Sequence, residues 1–184
     1  MSNETSLVMR VCRADLTSRD GFQYPAEVGA TIDAPDWSDA PICGKGLHGW
    51  LHGQGDHSCT DYWCEEGAKW LVLEAETAGI IMLGGKCKFQ RATVRFIGGK
   101  SEAAAFMIAN CEHAKNVAVI GAKMDVGDKG VALVGALGTA TAGYSGTATA
   151  GNSGTATAGY FGTATAGDNG TATAGSSGTA TAGY

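Results

Sequence analysis

Six side chains able to ligate a metal, or to act as nucleophile and base, fall within 22 residues: Cys43, His48, His52, His57, Cys59 and Cys64. Thiolate and imidazole are the donors zinc prefers. The spacing is C-x4-H-x3-H-x4-H-x-C-x4-C, with no C-x2-C knuckle. The cluster therefore reads as a Gly-rich loop that packs its Trp, Cys and His side chains, and no metal is expected. A Cys–His nucleophile would also need a low-pKa thiol beside an oriented imidazole. Nothing in the spacing supplies that adjacency, so no catalytic residue is assigned. The Gly-rich stretches GDKG and GALG lack the strand and helix context of a dinucleotide site, and there is no P-loop. No cofactor is expected.

A second group is cationic. Lys86, Lys88, Arg91, Arg95 and Lys100 lie within 15 residues, whereas residues 27–76 hold ten acids and two bases. One reading is a solvated strand face whose charges pair with the acidic segment. The other is an anionic-ligand site at Lys86, Lys88, Arg91 and Arg95. The 184-residue chain carries 13 Lys and Arg against 18 Asp and Glu, a net charge of −5. That balance argues against a nucleic-acid partner, which needs a basic face. No apolar run approaches the length of a membrane helix. The start, MSNETSLVMRVCRAD, is too polar for a secretory signal. A cytoplasmic protein with reduced Cys follows, and no membrane association.

The elements that would position these residues occupy 1–115, read as a small α+β unit. Leu7–Ala14 is a strand candidate, and Lys69–Glu76 is apolar at both parities, as in a strand buried on both faces. Gly84-Gly85 signals a two-residue hairpin between Gly79–Leu83 and Lys86–Ile97. Parity flips within the second of these strands, which predicts a β-bulge near Gln90-Arg91. Thr60 reads as the cap of one helical turn over Asp61–Glu66. Ser101 reads as the cap of a helix to about His113, with Ala104, Met107, Ile108 and Cys111 as its apolar stripe.

Beyond this unit the chain turns periodic. From Gly138 to Tyr184 it reads GTATAGYS, GTATAGNS, GTATAGYF, GTATAGDN, GTATAGSS, GTATAGY, and Gly, Thr and Ala make up 36 of 47 residues. A disordered linker does not hold so strict a register, and Thr favours strands. Each octad is thus a T-A-T-A strand followed by a G-x-x-G corner, with Gly supplying the positive φ of the corner. Eight residues cannot circle a core, but sixteen make a flattened coil. The prediction is a parallel β-solenoid with 16-residue coils over 116–184, capped by the unit 1–115. Tyr144 then lies over Tyr160, and Asn152 over Asp168. Gly130–Leu137 fits the octad with Val131 and Leu133 in the Thr places, and Asn116–Lys123 reads as the first octad. Ala is placed inward and Thr outward, because a thin coil has little room inside; the reverse assignment stays open.

Two resemblances follow from these residues. GTATAGYSGTATAGNS resembles the octapeptide repeat of bacterial ice-nucleation proteins, over roughly 116–184. It departs from that repeat in having Ala where the family carries larger residues, and in being short. The N-terminal part resembles an uncharacterised domain of phage and bacterial proteins, through Gly21–Tyr24, Gly46–His48 and Leu73–Ala75. That resemblance implies an architecture followed by simple repeats, and no activity.

The function expected is structural and non-enzymatic, with a solenoid that mediates self-assembly or partner binding. The chain is expected to form a homo-oligomer through its C-terminal coils, whose last coil lacks charge, Pro and a capping helix. The surface would comprise Thr139, Thr141, Thr147, Thr149, Thr155, Thr157, Thr163, Thr165, Thr171, Thr173, Thr179 and Thr181, with Tyr144 and Tyr160 on one edge. One alternative is an ice-binding or water-ordering Thr-x-Thr face. The other is a ligand-binding or enzymatic N-terminal unit, with His48, His52, Cys43 and Arg91 as its candidates.

Overall fold

In the computed structural model, which describes residues 4–184, the chain divides into two compact units, Met1–Glu112 and His113–Tyr184. In the first, the apolar runs become strands β1 (Thr5–Cys12), β2 (Thr31–Asp33), β3 (Leu47–Leu51), β4 (Lys69–Glu76), β5 (Ile81–Met82), β6 (Cys87–Phe89) and β7 (Arg91–Gly98). They form one sheet in the order β2-β7-β4-β1-β3-β6-β5, and every pair is antiparallel. Trp70–Leu73 of β4 are buried, as its two-sided apolar pattern requires. Only Gln90 separates β6 from β7 along the chain, yet β4, β1 and β3 lie between them in the sheet. Four strand spacings of ~4.8 Å cannot be crossed by two residues, so the sheet must roll until β6 and β7 meet at Gln90. Val8, Tyr24, Leu47, Leu71, Leu73, Phe89 and Val94 fill the inside.

Two details differ from the sequence reading. The parity flip at Gln90 is the break between β6 and β7 and not a bulge within one strand. The irregularity lies further on, where Val72 pairs with Phe96 and Leu73 with Val94, leaving Arg95 extra. Helix α1 (Lys100–Asn110) is capped by Gly99 and not by Ser101, because Glu102 reaches back to accept the Gly99 N–H at 2.8 Å. The Gly84-Gly85 hairpin forms with φ of 68° and 88°, the signature of a type I′ turn, and Leu83 N–H donates to Lys86 O at 2.8 Å.

The second unit is a parallel β-solenoid of four coils. Strands β8 (Lys123–Val126), β10 (Thr139–Ala142), β12 (Thr155–Ala158) and β14 (Thr171–Ala174) form one sheet. Strands β9 (Val131–Leu133), β11 (Thr147–Ala150), β13 (Thr163–Ala166) and β15 (Thr179–Ala182) form the other. Every residue pairs with the one sixteen later, Thr139 with Thr155 and Ala140 with Ala156. Ala points inward: Ala140, Ala148, Ala156 and Ala164 are fully buried.

The first octad lies in a different frame from the one read in the sequence. It is 122–129, AKMDVGDK, with Lys123 and Asp125 in the Thr places opposite Thr139 and Thr141. The frame Asn116–Lys123 fails because Val117 and Val119 lie in no strand.

The role of glycine is also corrected. The left-handed residues of the corners are the eighth of each octad, Lys129, Leu137, Ser145, Ser153, Phe161, Asn169 and Ser177, with φ between 51° and 60°. This twist turns each N–H along the solenoid: Ser145 donates to Tyr160 O at 2.9 Å and Ser153 to Asp168 O at 2.8 Å. The ladder therefore continues around the corners. The glycines are needed for closeness instead. A Cβ on Gly154 would stand 2.8 Å from Gly151 O and 3.0 Å from Gly138 O of the preceding coil.

Candidate functional site

Two surfaces are built by these elements. On the solenoid, alternation along each strand turns the Thr side chains outward. Thr139, Thr155 and Thr171 form one row and Thr141, Thr157 and Thr173 a second on the same sheet. Thr147, Thr163 and Thr179, with Thr149, Thr165 and Thr181, repeat the arrangement on the other sheet. The rows make a grid of about 4.8 Å across strands and about 6.6 Å along them. The Thr of the last coil are exposed, while Thr139, Thr141, Thr147 and Thr149 are half-buried. In the first coil the places are taken by Lys123, Asp125, Val131 and Leu133, and the last two are 68% and 44% exposed.

The corners differ on the two edges. On one, Tyr144 and Tyr160 stack with ring centres 5.9 Å apart, and Phe161 meets Tyr160 edge-on at 4.2 Å. On the other, Asn152 Oδ1 accepts the Asp168 N–H at 3.2 Å. Strand β15 is exposed at every residue, Ala180 and Ala182 included, and is paired only with β13. Val134 N–H, at the fifth place of its octad, donates to Thr149 O of the next coil at 2.9 Å. Ala182 holds the same place, so its N–H points off the last strand.

In the N-terminal unit a cavity of about 470 Å³ is lined by Arg10, Arg13, Arg19, His48, Lys86 and Cys43, among others. Cys59 also lines it, while His52 does not and bonds Cys111 through Nδ1 and Sγ at 3.3 Å. His57 packs against the Trp63 ring at 5.4 Å, and Cys64 Sγ donates to Asp61 O at 2.8 Å. Three of the six residues of the sequence cluster are thus brought together, Cys43, His48 and Cys59. Among the described residues no group of three or more His, Cys, Asp or Glu could hold a metal ion.

The sequence quartet of cations is dispersed. Lys88 is fully buried, and its ammonium donates to Ala40 O and, at 3.2 Å, to Ile42 O over the Trp37 ring. Arg91 makes a two-pronged pair with Asp33 at 2.7 and 3.0 Å. Arg95 pairs with Glu74 at 2.7 Å. Lys86 alone of the four lines the cavity. The cations that join it, Arg10, Arg13 and Arg19, lie in β1 and just after it. Their spacing in sequence carries no signal, and only strand pairing brings them beside Lys86.

The electrostatics of the cavity follow from this grouping. Burial, then the charges of Lys86, Arg10 and Lys88, pull the His48 imidazole down to about 4. The Lys86 ammonium, hydrogen-bonded to Cys43, holds that thiol below its ordinary value. Arg10 donates through Nη1 to His48 O at 2.7 Å and lies 5.0 Å from the Tyr24 ring centre. Its Nε, like His48 Nε2, is buried without a hydrogen-bond partner.

A family model described as Domain of unknown function (DUF7666) matches residues 6–109, and the chain belongs to that family. The chain is also 43% identical over 109 residues to an ice nucleation protein of Xanthomonas campestris pv. translucens, covering 58% of this chain and 7% of that protein. It is 30% identical over 112 residues to an ice nucleation protein of Pseudomonas fluorescens, covering 60% of this chain and 9% of that one. The chain therefore spans less than a tenth of the length of either relative. No solved structure matches it. No helix among the described residues is long and apolar enough to cross a membrane.

Proposed function

We propose that this member of the DUF7666 family is a non-enzymatic structural protein whose solenoid is the working part and adds further coils by self-association. The observation that supports this most directly is the ladder: each T-A-T-A strand of small uncharged residues pairs in register with the identical strand sixteen residues on, so the edge of a coil matches a further coil. A second copy can supply that coil with its own T-A-T-A strand. The test is sedimentation velocity of the full chain and of Ala182→Pro, which removes the outward N–H and adds a ring at the edge. Concentration-dependent association that Ala182→Pro weakens at least tenfold supports the reading. A chain that stays monomeric at the highest soluble concentration overturns it.

The Thr grid and the names of the two relatives favour a second reading, in which the outward rows order water and engage ice. Droplet freezing and ice-recrystallisation assays test it, with Thr141, Thr157 and Thr173 changed together to Lys. Loss of the effect in the triple variant, with the fold intact by circular dichroism, supports the reading; an unchanged effect, or none in the parent chain, overturns it.

A further inference from the structure

We propose that the cavity of the N-terminal unit is a binding site for a small phosphate ester, held by Arg10, Arg19, Lys86 and His48. The chain is acidic overall, with a net charge of −5, yet this cavity gathers Arg10, Arg13, Arg19 and Lys86 against the carboxylates of Asp61 and Glu65. Glu65 is committed to Arg13 at 3.4 Å, and that guanidinium also lies 4.7 Å from the Tyr62 ring centre. Arg10, Arg19 and Lys86 therefore carry charge that no carboxylate of the cavity answers in an ion pair.

The buried nitrogens sharpen the point. Arg10 Nε is a donor at every accessible pH and meets no acceptor among the described residues. His48, which lines the same cavity, has its Nε2 buried without a partner among the described residues. An oxyanion with several acceptor oxygens satisfies Arg10 Nε–H and answers the guanidinium geometry in two prongs, and its charge favours the protonated His48 imidazole, whose Nε2–H then donates to it. A single carboxylate offers two oxygens and one charge, whereas a phosphate ester offers three oxygens and nearly two charges. The volume of about 470 Å³ lies within the range of small-molecule sites, so it takes a phosphate together with a carrier of sugar or nucleoside size. Lys86 is placed for the charge by its β-turn, one residue after the two positive-φ glycines Gly84 and Gly85.

The test is calorimetric titration of the full chain with inorganic phosphate, pyrophosphate and citrate, with the Arg10 Nε–H and His48 ring resonances followed by NMR. Saturable one-to-one binding of phosphate or pyrophosphate, tighter than citrate, with shifts at both residues, is the expected result. Arg19→Met and Lys86→Met should each weaken binding at least tenfold, and Lys123→Met, on the solenoid, should leave it unchanged. No saturable heat with either phosphate probe overturns the proposal. So does citrate binding as tightly, or an equal loss in Lys123→Met, since both show attraction by charge alone. The NMR arm uses the unaltered protein and does not depend on whether a variant folds.

Discussion

Tyr160 follows Tyr144 by sixteen residues, and their rings stack at 21° with centres 5.9 Å apart. One coil of the solenoid is measured by that pair. Removing either ring should cost the pair energy of an aromatic contact, about 0.5–1.5 kcal/mol. A double-mutant cycle of Tyr144→Ala and Tyr160→Ala in urea unfolding checks it. A coupling near zero would show that the exposed rings stack without stabilising the coil.

The corner geometry makes two neighbouring residues respond in opposite ways. Gly154→Ala places a methyl against Gly151 O and Gly138 O and should destabilise by about 1–3 kcal/mol. Ser153→Asn keeps the left-handed φ of 55° with a residue that tolerates it, and should be neutral or stabilising by up to about 1 kcal/mol. Thermal unfolding should show a lowered midpoint for Gly154→Ala and an unchanged or raised one for Ser153→Asn.

Stability should fall on the acid side through His48. Its folded value of about 4 lies below the ordinary 6.5, so the unfolded chain takes up the proton first. The contribution is present above pH 6.5 and is lost as pH falls towards 4, by at most about 1.4 kcal/mol per pH unit. His48→Gln should flatten this limb when urea midpoints are compared between pH 7 and pH 4.

Thiol reactivity should separate the cysteines. Cys43 is exposed and its thiol is lowered by Lys86, whereas Cys87 is buried and pushed up to about 12. Iodoacetamide at neutral pH should label Cys43 well before Cys87, as read by peptide mass spectrometry. Lys86→Met should slow the Cys43 reaction severalfold.

The legible part of this protein is the part with a period. The 16-residue register, the Tyr144 and Tyr160 stack and inward Ala all follow from an octad too short to close a coil alone. The left-handed corner was not legible, because Ser145, Ser153 and Phe161 carry no common chemistry; backbone geometry imposes φ there whatever the side chain. The glycines did carry a signal, but its meaning was closeness to the preceding coil and not turn freedom. In the N-terminal unit, β4 and the Gly84-Gly85 hairpin were visible locally. The meeting of Arg10 with Lys86 was not, since it depends on β1 pairing with β3 and β3 with β6. Lys88 misled for the same reason: a lysine in a strand reads as solvated until Ala40 and Ile42 are found over it.

The register has a consequence for how such a chain can change length. Successive octads lie in opposite sheets, so the true unit of growth is two of them. Deleting one octad, 146–153 for example, would shift every later strand to the other sheet. The identical T-A-T-A segments would tolerate the exchange, but Asp168 would arrive on the edge of Tyr144 and Tyr160 would leave it. Gain or loss of 16 residues keeps Tyr144 and Tyr160 on one edge and Asn152 and Asp168 on the other. Length variants of this repeat should therefore come in even steps of octads, and an odd step taken between Tyr144 and Tyr160 should be recognisable by the loss of their stack.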